Sequence, residues 1–162
     1  MTAKTNAARR LDELGIAYTL HTYSVGREHL GAAEVAAQVG MDPGVVFKTL
    51  VADGDRNGPC FAVVGALTEL DLKRLAVASG DRKISLVPLS RVTPLTGYVR
   101  GGTTALAAKK AFPVYLDESA MRNAYIVVSA GQKGLQIRLA PADYVRATSA
   151  KVALIARPPA SQ

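Results

Sequence analysis

The hydrophobic positions along the chain follow two periods, one typical of helices and the other typical of strands. The clearest helical segment begins after Thr5, a suitable N-cap, and places Ala8, Leu11 and Leu14 on one face. The segment 68–71 resembles a capping box that opens a later helix. Helices are predicted over 5–14, 32–39, 72–79, 117–122 and 142–147. Three of them are followed by a glycine that marks the helix end: Gly15, Gly40 and Gly80.

Shorter runs of alternating or uniformly apolar residues predict strands. These runs cover 16–23, 46–52, 60–65, 85–89, 114–116, 125–129, 135–139 and 152–155. A Gly/Asp/Asn-rich loop at 53–58 separates two of them, so we expect a hairpin there. Turn signals occur at Pro94 to Gly97 and at Gly101-Gly102. Because hairpins interrupt the alternation of strands and helices, we expect a mixed sheet rather than a purely parallel one.

The pattern therefore predicts one mixed α/β domain, with α+β character. The chain has 162 residues, which is about one domain's worth, and no repeat or long linker divides it. We assign residues 1–157 to this domain and residues 158–162 to a C-terminal tail. The whole terminal run RPPASQ, which begins at Arg157, is expected to be loose.

Composition narrows the class of protein. Hydrophobic residues make up 49% and charged residues 20%, which excludes wholesale disorder. The apolar runs are too short to span a bilayer, and the N-terminus has no secretory h-region. Cys60 is the single cysteine, and the only histidines are His21 and His29, so we expect no metal centre. We expect a reduced, cytoplasmic protein that needs no cofactor.

The net charge of +7 is concentrated in one segment. Residues 72–116 contain 8 basic residues and one acidic residue, which makes this segment a candidate polyanion surface. Aromatic residues are only 6% and tryptophan is absent, so phosphate contacts should dominate over base stacking. A solvated surface of an ordinary basic protein explains the same charge, and both interpretations stay open. The basic residues are Lys73, Arg74, Arg82, Lys83, Arg91, Arg100, Lys109 and Lys110.

Few residues offer catalytic chemistry. There is no G-x-S-x-G elbow, Walker motif or dinucleotide fingerprint. Cys60 lies beside Phe61 in an apolar run, where an inert thiol is favoured over a nucleophile. His21 is interpreted as structural. Lys48 stands within the apolar run VVFKTLV, so it either extends to solvent or points into a cavity as a cationic donor. The glycine-rich turn at 98–103 either brings backbone N–H groups close to a ligand or is a bulge or tight turn with only a structural role.

Five short motifs, in order and across nearly the whole chain, resemble one family. They are HTY at 21–23, FKTL at 47–50, LDLK at 70–73, TGY with GG at 96–102, and VSAG with GL at 128–135. On these motifs the chain resembles the YbaK-type aminoacyl-tRNA deacylases. That family edits Cys-tRNA(Pro) and is related to the editing domain of bacterial prolyl-tRNA synthetases.

The resemblance implies a fold, a reaction and a site. The fold would be a barrel-like mixed sheet flanked by helices, and the activity would be trans-editing of Cys-tRNA(Pro) or Cys-tRNA(Cys). Lys48 would be catalytic, and Gln136 stands where the family commonly has an acidic residue. Substrate-binding positions would be Tyr23, Gly101, Gly102, Ser129, Gly131 and Gln136. The tRNA contacts would come from Lys73, Arg74, Arg100, Lys109 and Lys110.

The family mechanism needs no enzyme nucleophile, because the substrate thiol attacks its own ester and releases a thiolactone. Positioning can supply roughly 7–11 kcal/mol in favourable intramolecular cases. Lys48 and the backbone of Gly101 and Gly102 would support the oxyanion. Partners would be tRNA and prolyl-tRNA synthetase, with no membrane and no metal. Three alternatives remain: a water-dependent deacylase of Ala-tRNA(Pro) or another small aminoacyl-tRNA, a non-catalytic tRNA- or synthetase-binding regulator, and a binder of a free amino-acid derivative.

Overall fold

The computed structural model describes residues 4–23, 32–99, 102–107 and 111–159. These residues contain five α-helices: α1 Asn6–Glu13, α2 Ala32–Val39, α3 Leu72–Ser79, α4 Leu89–Thr96 and α5 Pro141–Thr148. Two 3-10 helices cover Pro43–Val45 and Glu118–Arg122. The strands are β1 Thr19–Thr22, β2 Phe47–Gly54, β3 Gly58–Gly65, β4 Glu69–Leu70, β5 Ile84–Leu86, β6 Val114–Asp117, β7 Ile126–Ser129, β8 Leu135–Leu139, β9 Lys151–Ala153 and β10 Ala156–Arg157.

The strands form two main sheets and one short pair. The order is β5-β2-β3-β6-β9 in the larger sheet and β1-β8-β7 in the smaller one, and β10 pairs with β4. The pairs β3–β6 and β6–β9 are parallel and the others are antiparallel, which confirms the predicted mixed sheet. A parallel bridge between Val46 and Val127 connects β7 to the chain just before β2. The strands in these described ranges do not close into a barrel, so the barrel-like expectation is not met there.

The two faces of β2 support separate clusters of apolar side chains. Phe47 and Val51 face the main core, which also includes side chains of α1 and α5. The opposite face, which we call the outer face, carries Val46, Lys48 and Ala52 because successive side chains of a strand alternate. Helix α3 packs on part of this face, and Ala36 of α2 packs on another part.

One predicted turn is a helix. The segment around Pro94 belongs to α4, which ends at Gly97 with a φ of 82°. Proline is tolerated there because only one backbone hydrogen bond is lost near the end of a short helix. Buried Val92 and Thr96 hold the helix against the core, and Thr96 Oγ1 donates to the Val92 carbonyl at 2.7 Å.

Two further expectations need correction. The N-cap of α3 is Asp71, whose carboxylate accepts from Arg74 N at 3.1 Å, whereas Thr68 Oγ1 donates to the Gly65 carbonyl at 2.7 Å. Arg157 is not part of a loose tail, because it lies in β10 and pairs with Glu69 in β4. Its Nη2 is 3.2 Å from Glu69 Oε2. Both differences come from contacts between segments that are distant in sequence. Within the described ranges, no helix has the length and apolar character needed to cross a membrane.

Candidate active site

A row of polar side chains crosses the outer face where β1, β8, β7 and β2 lie side by side. His21 is directly opposite Gln136, and Gln136 is directly opposite Ser129. A parallel bridge joins Val46, just before β2, to Val127 in β7, and Lys48 and Ser129 each follow these residues by two positions, so we expect them on the same side of their strands. Because paired residues of neighbouring strands point to the same face, these four side chains share one surface. We call this set the polar row.

Lys48 is partly buried at the β2 end of the polar row. Its Nζ donates a hydrogen bond to the Thr68 carbonyl at 2.9 Å. Burial lowers the pKa of the Lys48 amine, and the nearby charge of Glu69 opposes this shift. The amine therefore neither extends freely into solvent nor lies in the core. Its remaining N–H groups are suited to donate to a polarised carbonyl oxygen at the surface of the row.

Gln136 occupies the middle of the row and is the least exposed of its members. Its side chain is 8% exposed, and within the described part of the chain its Oε1 has no hydrogen-bond partner. A buried carbonyl oxygen without a donor costs about 1–3 kcal/mol. A substrate that carries an N–H, O–H or S–H group can supply that donor.

Ser129 and Tyr23 lie on either side of the turn that connects β7 to β8. Ser129 Oγ accepts a hydrogen bond from Gly131 N at 3.2 Å, which leaves the hydroxyl proton of Ser129 able to donate elsewhere. Tyr23 N donates to the Gly134 carbonyl at 3.0 Å, and Tyr23 follows His21 by two residues. The side chain of Tyr23 is therefore expected on the same face as the polar row.

The segment 102–104 lies against the β7–β8 turn. A Cβ built on buried Gly102 would be 3.1 Å from Gln132 Cα, so any other residue would force the backbone at Gln132 to shift. Gly131, with a φ of 101°, is packed in turn against Thr104 and Tyr98. The Gly102 N–H already donates to the Val99 carbonyl at 2.9 Å. It is therefore not a free oxyanion donor, which corrects one role suggested by the resemblance.

Of the other candidates, Cys60 and His21 lie among the described residues, and the thiol of Cys60 is not suited to nucleophilic attack. Cys60 is buried, and burial raises the pKa of its thiol to about 11, with the charges of Asp81 and Asp53 adding to the effect. His21 Nε2 is 3.1 Å from Thr19 Oγ1. The described residues include no cluster of three or more His, Cys, Asp and Glu side chains that could hold a metal ion.

Only some of the residues predicted to contact tRNA lie within the described ranges. Arg74 on α3 is used internally, since its Nη1 donates to the Ala156 carbonyl at 2.9 Å and its Nε is 3.7 Å from Asp71 Oδ2. Lys73 is exposed on the same helix. The tRNA-binding role of all these residues stays a prediction. Four predicted site residues lie outside the described residues: Arg100, Gly101, Lys109 and Lys110.

Arg138 and Tyr125 were not among the predicted site residues, although they lie beside the polar row. Arg138 follows Gln136 by two residues in β8, and it is therefore on the outer face. Its Cζ is 3.7 Å from the centroid of the Tyr125 ring. The alternation of β8 was visible in the sequence, but the contact with Tyr125 depends on the pairing of β7 with β8.

Comparisons with known proteins identify the family of the chain. Residues 28–147 match the family model described as the aminoacyl-tRNA editing domain. An Enterococcus faecalis protein, “Putative Cys-tRNA(Pro)/Cys-tRNA(Cys) deacylase EbsC”, is 41% identical over 152 residues. That alignment covers 94% of this chain and 93% of the relative.

Solved structures agree on the fold. One, described as “a putative trans-editing enzyme for prolyl tRNA synthetase”, has a TM-score of 0.82 and 24% identity, covering 96% of this chain and 99% of the other. Another, hypothetical protein APE2540, has a TM-score of 0.84 and 21% identity, covering 94% and 99%. The family model covers most of the chain and the relative aligns along nearly all of it, so the chain belongs to the aminoacyl-tRNA editing domain family.

Proposed function

We propose that the protein is a trans-editing deacylase that clears Cys-tRNA(Pro) and also accepts Cys-tRNA(Cys). The observation that carries this proposal is the polar row, which offers an ammonium donor, a hydroxyl donor and a buried acceptor that has no partner among the described residues. The relative that is 41% identical carries the name of a deacylase for the same two esters. An enzyme that positions its substrate instead of attacking it fits both facts.

In the proposed reaction the substrate supplies its own nucleophile. The cysteine sulfur attacks the ester carbonyl carbon, a C–S bond forms, and the bond from that carbon to the terminal ribose oxygen breaks. The thiol proton ends on the released ribose hydroxyl, so the products are cysteine thiolactone and free tRNA. Proximity favours this route because the sulfur and the carbonyl carbon belong to one molecule.

The residues of the row have separate roles in this proposal. Lys48 donates to the oxyanion that develops on the ester carbonyl, and the hydroxyl proton of Ser129 supports the same oxygen. Gln136 Oε1 accepts a hydrogen bond from the α-ammonium group, the donor that every aminoacyl ester carries. Tyr23, together with the segment around Gly102 and Gly131, forms the wall against which the substrate lies.

The test compares esters that differ only at the side chain. Rates of ester loss are measured for Cys-, Ala-, Ser- and S-methylcysteinyl-tRNA(Pro), and thiolactone is sought among the products. We expect the cysteinyl ester to react about 100-fold faster than the others, because only it carries a free intramolecular thiol. S-methylcysteine is the matched control, since it keeps the sulfur and adds bulk but lacks the S–H group.

Each of the other possible outcomes supports one of the alternative functions. Comparable rates for the alanyl and cysteinyl esters, with free amino acid as the product, would move the mechanism to an attacking water. Binding of tRNA without cleavage of any ester, even with prolyl-tRNA synthetase added, would leave a non-catalytic regulator. Either result would overturn the thiol-assisted mechanism.

The substitution Gly102→Val is expected to lower kcat/KM for the cysteinyl ester by about tenfold, equivalent to about 1.4 kcal/mol. The added side chain would collide with the backbone at Gln132 and displace the segment 102–104 from the β7–β8 turn. Gly44→Ala is the control, because the three atoms nearest to a Cβ built on Gly44 all belong to the exposed side chain of Asp42. Equal rates for the two variants would show that this contact does not shape the site.

The proposal also covers the bounds of the editing domain, its partners and its place of action. We assign residues 1–157 to the editing domain and residues 158–162 to a tail, with tRNA as the substrate and prolyl-tRNA synthetase as the protein that presents it. The place of action is then the cytoplasm, where tRNA is charged. Exposed Lys73 and the basic residues outside the described ranges are the proposed contacts to the acceptor stem.

A further inference from the structure

A second row of side chains borders the polar row on the outer face. In this row, Thr19 is opposite Arg138, and Arg138 is opposite Val127. Arg138 and Gln136 are two residues apart on one strand, which separates their Cα atoms by roughly 6.8 Å. The guanidinium of Arg138 therefore lies at the margin of the polar row and not at a remote surface.

Arg138 is stacked on an aromatic ring, and within the described residues its guanidinium makes no hydrogen bond. The side chain is exposed, and its Cζ lies 3.7 Å above the Tyr125 ring. Tyr125 is itself partly buried against Val46 and Val127. Among the residues that the structure describes, no carboxylate forms an ion pair with Arg138. Stacking on an aromatic ring orients the guanidinium plane and leaves its N–H groups directed outward.

The surroundings of Arg138 favour an anionic ligand with tetrahedral oxygens. The N–H groups of a guanidinium match two oxygens of a phosphate at once, and Thr19 on the neighbouring strand adds a hydroxyl. β1 is the terminal strand of its sheet, and both Thr19 and Arg138 are exposed at this margin of the outer face. A polyanionic substrate can therefore approach from this side.

We propose that Arg138, held by Tyr125, binds the phosphodiester that precedes the terminal adenosine of the tRNA. This inference rests on the proposed function, since the ester bound at the polar row fixes where that phosphate lies. The separation between Arg138 and the polar row is comparable to the reach of one nucleotide. The aminoacyl ester then lies over Gln136 and Ser129 while the phosphate beside it is held at the margin.

The test uses three cysteinyl esters that differ in phosphate content. They are Cys-tRNA(Pro), cysteinyl adenosine with a 5′-phosphate, and cysteinyl adenosine without one. Arg138→Ala is expected to lower kcat/KM by about tenfold for the first two esters and by less than twofold for the third. Tyr125→Leu removes the ring beneath the guanidinium and should give a smaller loss with the same dependence on phosphate.

The controls separate this inference from the proposed function. Arg122→Ala removes another exposed arginine, one that is 3.6 Å from Glu118, and should leave all three rates unchanged. Equal losses on the esters with and without phosphate, or no loss on any of them, would overturn the phosphate subsite. If wild type cleaves none of the esters, the proposed function fails. The phosphate subsite is then tested by binding. A loss of affinity for a CCA oligonucleotide of at least fivefold in Arg138→Ala would support it, and a smaller loss would exclude it.

Discussion

Lys48→Ala is expected to lower kcat for cleavage of the cysteinyl ester by about 100-fold or more, because losing one oxyanion donor typically costs this much. Lys48 Nζ is anchored by the Thr68 carbonyl at 2.9 Å, so the ammonium is positioned before substrate arrives. Alanine removes both the charge and the anchor. Single-turnover measurements with saturating enzyme would report the chemical step separately from tRNA release.

Two variants make the Lys48 result specific. Lys151→Ala removes a lysine whose Nζ also donates to a main-chain carbonyl, that of Ala78 at 3.0 Å, but which is exposed on β9. It should keep the wild-type rate. Lys48→Arg keeps the positive charge on a larger planar group and should recover only part of the activity. A rate for Lys48→Ala equal to that of Lys151→Ala would exclude Lys48 from the chemistry.

The pH dependence of the same reaction tests whether Lys48 acts in its protonated form. Burial lowers the pKa of this amine, so it loses its proton at a lower pH than an exposed lysine would. A donor must be protonated, and the contribution of Lys48 therefore declines as the pH rises toward its lowered pKa. The alkaline limb that this produces in the wild-type profile should be absent from Lys48→Ala.

Local pattern was sufficient to predict much of the fold. The hairpin of β2 and β3 and the helix α3 follow from apolar runs, a turn-forming loop and a terminal glycine, all of which act over a few residues. The prediction for α4 was wrong because Pro94 was interpreted as a turn signal, whereas burial of Val92 and Thr96 stabilises a helix around it. The pairing of β4 with β10 joins segments far apart in sequence, and local periodicity carries no information about it.

The individual residues of the candidate site could be predicted from the sequence, but their arrangement in space could not. Motif matching found Lys48, Ser129 and Gln136; Ser129 lies directly opposite Gln136, and Lys48 is two residues from the bridge between β7 and the chain before β2. Which side chains share this face depends on the strand register, because a one-residue shift would turn every side chain of the strand to the opposite face. The engaged N–H of Gly102 belongs to the turn that the glycine pair predicted, whereas the stacked guanidinium of Arg138 is a contact between two strands that local pattern could not reveal.

Asp117 connects this site to the stability of the fold. The carboxylate is 3% exposed, and its Oδ1 accepts from the N–H groups of Ile155 and Ala156, both at 2.9 Å. Burial alone would raise the pKa of Asp117, but hydrogen bonds from Ser119 and from these two N–H groups lower it overall. Through them Asp117 fixes the start of β10. That strand pairs with β4, which directly follows the carbonyl that holds Lys48.

Asp117→Ala is expected to lower the free energy of unfolding by about 3 kcal/mol, because it leaves two buried N–H groups without acceptors. For a chain of this size the Tm should fall by roughly 6–12 °C. Asp117→Asn keeps one acceptor oxygen and should lose less. Glu118→Ala removes the adjacent exposed carboxylate and should change stability by less than about 0.5 kcal/mol.

The pH dependence of this loss gives the decisive measurement. The folded-state pKa of Asp117 is lowered, so its contribution is complete above the unfolded value of about 4 and declines as the pH falls below it. Urea unfolding of wild type and Asp117→Ala at neutral pH and near pH 3 should therefore give a smaller difference at the acidic pH. A difference that is the same at both pH values would mean that the ionised carboxylate is not what fixes β10. In that case the support behind Lys48 would come from packing of Ile155 and Ala156 rather than from Asp117.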